Sequence, residues 1–135
     1  MRMFLPIMAS LLVSACADVP PSPAAQARID REEAKLAKAL AGKVPGKPVS
    51  CITLRNVDSM QVYGERTLIY RINSKLSYRN DPYGGCPGLT NSRTLITRTP
   101  TGQLCRGDIA RVADLVAGFE TGSCALGDFV PYRPG

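Results

Sequence analysis

The chain of 135 residues contains no histidine and no tryptophan, and aromatic residues make up only 6% of it. Without histidine there is no Ser-His-Asp triad, no Cys-His dyad and no His-ligated zinc or haem. With three phenylalanines and five tyrosines the aromatic core is thin. No apolar run is long enough to cross a hydrocarbon layer of about 30 Å as a helix. Nor is there a Cys-x-x-Cys pair: Cys51, Cys86, Cys105 and Cys124 are separated by 35, 19 and 19 positions. That spacing speaks against a dithiol redox pair and against a four-thiolate zinc site, so no metal or cofactor is expected. What is present suits one small folded domain, 44% hydrophobic and 21% charged, with a formal charge of +6.

The first fifteen residues have the parts of an export signal. Arg2 is the positive end, and Phe4 to Val13 supply a short apolar core. Val13-Ser14-Ala15-Cys16 has the form of a lipobox, in which small residues fit the signal peptidase and the cysteine thiol accepts a diacylglyceryl group. This predicts a signal peptide over 1–15, lipidation at Cys16 and attachment to a membrane through several acyl chains. Ala17 after the cysteine resembles the Gram-negative sorting pattern for the outer membrane, facing the periplasm. Asp18, one place later, keeps the inner membrane as the second choice.

Residues 16–23 form a proline-rich, semi-stiff tether. Ser22 is placed to cap a helix with Pro23 at its first position, and the Ala, Gln, Arg, Glu, Lys and Leu content predicts helix over 24–41. Ile29, Leu36 and Leu40 make a narrow apolar stripe suited to a spacer, to partner binding or to self-association. Gly42 to Pro48 is a glycine- and proline-rich linker that marks the domain boundary.

From Val49 the hydrophobic period changes to two. Ile52 and Leu54, Met60 and Val62, Leu68 to Ile72, and Leu76 with Tyr78 predict four short strands. Gly64-Glu65-Arg66 and Asn73-Ser74 are the turns between them. Leu95 to Thr99 and Gln103 to Cys105, around Pro100-Thr101-Gly102, carry a hairpin signal. Residues 109–116 suit a strand better than a helix. Cys124 to Val130 closes the domain, and 132–135 is a tail. The expected fold is mainly β, a small antiparallel β-barrel or sandwich over 49–131, stapled by two disulfides and preceded by one N-terminal helix.

With Cys16 taken by lipid, the other four cysteines are expected to form two disulfides in an oxidising compartment. All three connectivities are open. Cys51–Cys124 with Cys86–Cys105 is preferred, because first and last strands of closed β domains are often neighbours, and the sequential pairing comes next.

Cys51-Ile52-Thr53-Leu54, Cys86-Pro87-Gly88-Leu89, Leu104-Cys105 with Asp108-Ile109, and Ser123 to Phe129 together give residues 49–131 a family likeness. The domain resembles a group of small proteobacterial envelope lipoproteins that share a cysteine-containing domain of unknown function. The resemblance implies a compartment and a domain boundary, and no catalytic residue.

Three features are candidate sites. Residues 49–135 carry ten basic and seven acidic side chains. Among them Arg71, Lys75 and Arg79, with Ser77, are expected on one solvent face that fits anionic lipid, peptidoglycan or an acidic envelope protein. The loop from Tyr78 to Gly85, with Tyr78 and Tyr83, suits a glycan or peptide ligand. Asp58, Glu65, Asp81, Asp108, Asp114, Glu120 and Asp128 are the carboxylates from which a glycan hydrolase would draw its pair, and nothing in the sequence places two together. The expectation is a non-enzymatic binding or accessory component of the cell envelope. The alternative is a small ligand-binding protein or hydrolase using the 78–85 loop. Export excludes a nucleic-acid partner.

Overall fold

The computed structural model describes residues 19–135; the signal sequence, lipobox and Cys16 lie outside the described residues. The helix α1 runs Pro23–Ala39. Ser22 Oγ accepts from the Ala25 N–H at 3.3 Å, and Pro23 occupies the first turn, where its missing N–H costs nothing. Gly42, at φ 72°, turns the chain out of the helix.

Ten strands follow: β1 Lys43–Pro45, β2 Cys51–Thr53, β3 Ser59–Tyr63, β4 Thr67–Asn73, β5 Leu76–Asn80, β6 Thr94–Thr97, β7 Gln103–Cys105, β8 Ile109–Asp114, β9 Phe119–Ala125 and β10 Phe129–Pro134. They form three antiparallel sheets with strand orders β1-β10-β5-β4-β3, β2-β7 and β6-β8-β9. The sheets face one another across a shared core as a sandwich, not a closed barrel. Leu68, Tyr70, Val62 and Phe129 come from the large sheet, Ile52 and Leu104 from the two-stranded one, and Ala110, Val112 and Cys124 from the third. Phe129 is fully buried, its ring centroid 5.8 Å from that of Tyr70.

Register follows the alternation. Val62↔Leu68, Tyr70↔Tyr78 and Asn80↔Phe129 lie on the core side, whereas Gln61↔Ile69, Arg79↔Val130 and Arg71↔Ser77 point outward. Asn73 closes the β4–β5 turn by accepting from the N–H groups of Lys75 and Leu76.

Several expectations need correction. Neither favoured disulfide pairing occurs: the bridges are Cys51–Cys105 and Cys86–Cys124. Cys51 and Cys105 are direct cross-strand partners in β2 and β7, with Cα atoms 4.0 Å apart. The rule that first and last strands pair does hold, but one strand further out. The expected linker contributes β1 and the expected tail extends β10, and the two are hydrogen-bonded neighbours. Pro45 is tolerated because β1 is an edge.

The hairpin expected over 95–105 is absent, since β6 pairs with β8 and β7 with β2. The run from Ile52 to Leu54 leaves the extended state after Thr53 and becomes a 3₁₀ turn, Leu54–Asn56. Residues 109–114 are a strand as expected, but with Ala110 and Val112 inside and Ile109 and Val116 exposed. Cys124 to Val130 is two strand ends separated by Leu126-Gly127-Asp128 rather than one element.

Helix α1 packs on its own domain. Leu40 leads into β1, whose partner is the C-terminal half of β10, while Glu32 Oε2 accepts from the Gly64 N–H at 3.4 Å in the β3–β4 turn. The helix therefore crosses the outward face of the large sheet obliquely, from the β1 edge to β3. Ile69 and Ser77 are buried on that face, Ser77 accepting from Lys43 Nζ at 3.4 Å. Leu36 and Leu40 of the apolar stripe are half-buried, and Ile29 is exposed.

Candidate interaction surface

The residues expected to form a basic site are not gathered into one. Arg71 is exposed on β4 and pairs with Asp58 at 3.4 Å. Lys75 sits in the β4–β5 turn, at the end of the sheet. Arg79 is half-buried and held by Asp81, its Nε 2.9 Å from Oδ2. Partial burial works against its charge, but the bonds to Asp81 and the Tyr132 hydroxyl outweigh that and hold its pKa above the ordinary arginine value. Ser77, expected on the solvent face beside them, is buried and accepts from Lys43 Nζ at 3.4 Å. Each departure has its own local cause: Arg71 pairs with Asp58, Lys75 falls in the turn, and Arg79 and Ser77 are engaged by Asp81 and Lys43.

The 78–85 loop is a pinned turn. Tyr78 points to the core side, opposite Tyr70. Tyr83 is exposed, but its N–H donates to the Ala125 carbonyl, and the Cys86 N–H that follows donates to Glu65. Asn80 is fully buried, its amide donating to the Gly127 carbonyl at 2.7 Å while its Oδ1 accepts from the Gly127 N–H at 3.0 Å. These bonds lock the loop onto the segment between β9 and β10.

The carboxylates are occupied individually. Asp58, Asp81, Asp114, Glu120 and Asp128 each face an arginine. Glu65 accepts from the Gly88 N–H, and Asp108 accepts from the Cys105 N–H at 2.7 Å. No group of three or more metal-ligating side chains occurs among the described residues. None of the helices described is long and apolar enough to cross a membrane.

What sequence reasoning missed is the outward face of the β6-β8-β9 sheet. No element among the described residues covers it. A shallow groove of about 410 Å³ runs across it, lined by Ile96, Arg98, Asp108, Ile109, Arg111 and Glu120. Ile109 is 59% exposed on its floor. Arg111 is held by Glu120 at 3.1 Å, whereas Arg98 has no carboxylate within 4 Å among the described residues. Strand parity supplies the reason: Ile96 pairs with Arg111, so the side chains outward from β6 and β8 share one side. The signal was present in the alternation Ile109, Arg111 against Ala110, Val112. Alternation separates the two sides without saying which is inside: small Ala110 is buried and large Ile109 is not.

The same sheet carries a second apolar feature. The β8–β9 hairpin ends in Leu115-Val116-Ala117-Gly118, and Leu115, Val116 and Phe119 are 68%, 98% and 59% exposed. No protein-family model, curated protein or solved structure matches the chain.

Proposed function

We propose that this protein is a lipid-anchored accessory component of a Gram-negative envelope, attached through Cys16 to the outer membrane and facing the periplasm. Its task on this reading is to bind another envelope protein without catalysis. The kinship with small proteobacterial envelope lipoproteins belongs to the same proposal. The observation that carries it is the asymmetry of the two outward sheet faces: α1 packs on the five-stranded sheet, whereas among the described residues the three-stranded sheet is left bare, with a groove containing exposed Ile109 and an arginine that has no carboxylate within 4 Å. An apolar floor beside a free guanidinium suits a segment of a partner protein that offers an apolar side chain next to a carboxylate. Two disulfides hold such a face rigid outside the cell, as binding without large reorganisation requires.

Changing Ile109→Ser together with Arg98→Ser tests the reading. Crosslinking in intact cells through a C-terminal capture tag should lose its main protein product, while the thermal melt stays within a few degrees of the parent because both side chains are exposed. An unchanged crosslinking pattern would remove the groove from the proposal. The Arg71, Lys75 and Arg79 triple change to Ser should leave the pattern intact.

A further inference from the structure

We propose that the β8–β9 hairpin tip, Leu115 to Phe119, dips into the surface of a lipid bilayer as a second membrane contact beside the N-terminal anchor. The proposal rests on the anchored reading above and adds to it an orientation of the domain. Three observations and one energetic consideration carry it.

The tip is apolar and convex. From Leu115 to Phe119 there is no charged or hydrogen-bonding side chain, and Val116 is 98% exposed. The groove of the same sheet is lined by other residues.

The tip's backbone is ready to leave water. Asp114 Oδ1 accepts from the N–H groups of Val116 at 3.0 Å and Ala117 at 2.9 Å, and the Asp114 carbonyl accepts from the Gly118 N–H at 2.8 Å. Three amides that would otherwise need solvent are paired internally, which lowers the cost of placing the turn in an apolar medium. The Asp114 carboxylate is itself 4.0 Å from Arg93, so an anionic headgroup layer meets no lone negative charge.

The tip and the N-terminal end of the chain emerge on one side of the domain. Glu32 of α1 bonds to Gly64 in the β3–β4 turn, Glu65 of that turn accepts from the Gly88 N–H, Arg93 donates to the Gly88 carbonyl, and Arg93 faces Asp114 at the base of the hairpin. From Glu32 the helix continues toward its N-terminus at Pro23 for about 13 Å beyond that contact, with exposed Val19 just outside it. Between Cys16 and Ser22 the chain can reach at most about 25 Å further.

Three apolar side chains are too few to hold a protein on a bilayer alone. They become effective when an anchor keeps them within reach of it. That relation favours lipid over a protein pocket as the occupant. The opposite end of the large sheet, with Lys75 and the β4–β5 turn, then points away from the membrane.

The absence of tryptophan makes the test direct, because Val116→Trp introduces the sole indole of the chain. The full lipidated chain carrying this change is purified from membranes and reconstituted into phosphatidylethanolamine–phosphatidylglycerol vesicles, with and without brominated acyl chains. Lys75→Trp is the reference. The Val116→Trp emission should shift to shorter wavelength and roughly halve in brominated vesicles, while the Lys75→Trp emission keeps its aqueous position and intensity. If the chain floats with the vesicles and Val116→Trp is unquenched, insertion of the tip is overturned and the anchor stands. A chain that does not float overturns both. A blue shift that needs added envelope protein, without bromolipid quenching, overturns the lipid occupant in favour of a protein pocket.

Discussion

Asn80→Ala should be among the most damaging single changes in the domain. Asn80 is fully buried at the end of β5, and its side chain holds the Gly127 N–H and the Gly127 and Asp128 carbonyls at 3.0, 2.7 and 3.3 Å. Truncation leaves a buried donor and acceptor unpaired, at about 1–3 kcal/mol each. A small cavity opens beside Leu68 and Phe129, the direct strand partners of Asn80. The expected loss is about 3–5 kcal/mol, a large part of the 5–15 kcal/mol typical of a domain. It corresponds to a fall in Tm of roughly 15–30 °C by the scaling for small domains. Replacement of Gly127 cannot compensate, because a Cβ there would collide with the Asp81 carbonyl.

The assay is a thermal and urea melt with both disulfides oxidised. Asn80→Asp sharpens it, since the Oδ1 that accepts from Gly127 survives while the amide donor becomes a buried carboxylate. Its folded pKa should be raised, so the variant should be most stable below the ordinary carboxylate range and weaken as pH rises through the folded value. A loss below about 1 kcal/mol for Asn80→Ala, or no pH dependence for Asn80→Asp, would refute the pinning role.

Tyr70 makes the converse prediction. Its hydroxyl is buried without a hydrogen-bond partner among the described residues, and burial pushes its pKa up. Tyr70→Phe keeps the contact with Phe129 and should raise stability by about 1 kcal/mol in a urea melt; a loss of that size would show the hydroxyl to be satisfied. Because the folded state favours the neutral phenol, the wild-type chain should lose stability as pH rises above about 10, and tyrosinate absorbance should show one group ionising only on unfolding. Glu32 works at the acid end: its bonds to Lys35 and to the Gly64 amide hold its pKa below 4.5. Its contribution is present above 4.5 and fades as pH falls through the lower folded value. Amide exchange in α1 and at Gly64 should therefore speed up in acid before the core opens. Glu32→Gln should abolish that pH dependence, and exchange in acid that is unchanged by the substitution would remove Glu32 from the account.

Local chemistry made much of the fold legible. The N-cap at Ser22, the left-handed glycines, the period of two from Val49 and the Asn73 turn depend on residues close in sequence, where sterics and hydrogen bonding act without the rest of the chain. Composition alone excluded histidine chemistry, and the even cysteine count of the domain implied two bridges. The partners of strands are another matter. Whether β7 meets β6 or β2, and thus which cysteines face each other, depends on how the sheets stack, and so does the entry of Lys43–Pro45 and Tyr132–Pro134 into the large sheet as one pair.

The functional surface falls in that second class. Alternation separates the two sides of a strand but does not say which side is covered. Packing buried Ser77 against Lys43 and left Arg79 half-buried beside Asp81, while no element among the described residues covers Ile109 and Val116. The sequence determined the helix with its cap, the tight turns and which chemistries are impossible, because those depend on neighbours along the chain or on composition alone. Tertiary packing alone decided which apolar residues stay in water, because burial is a property of distant elements meeting.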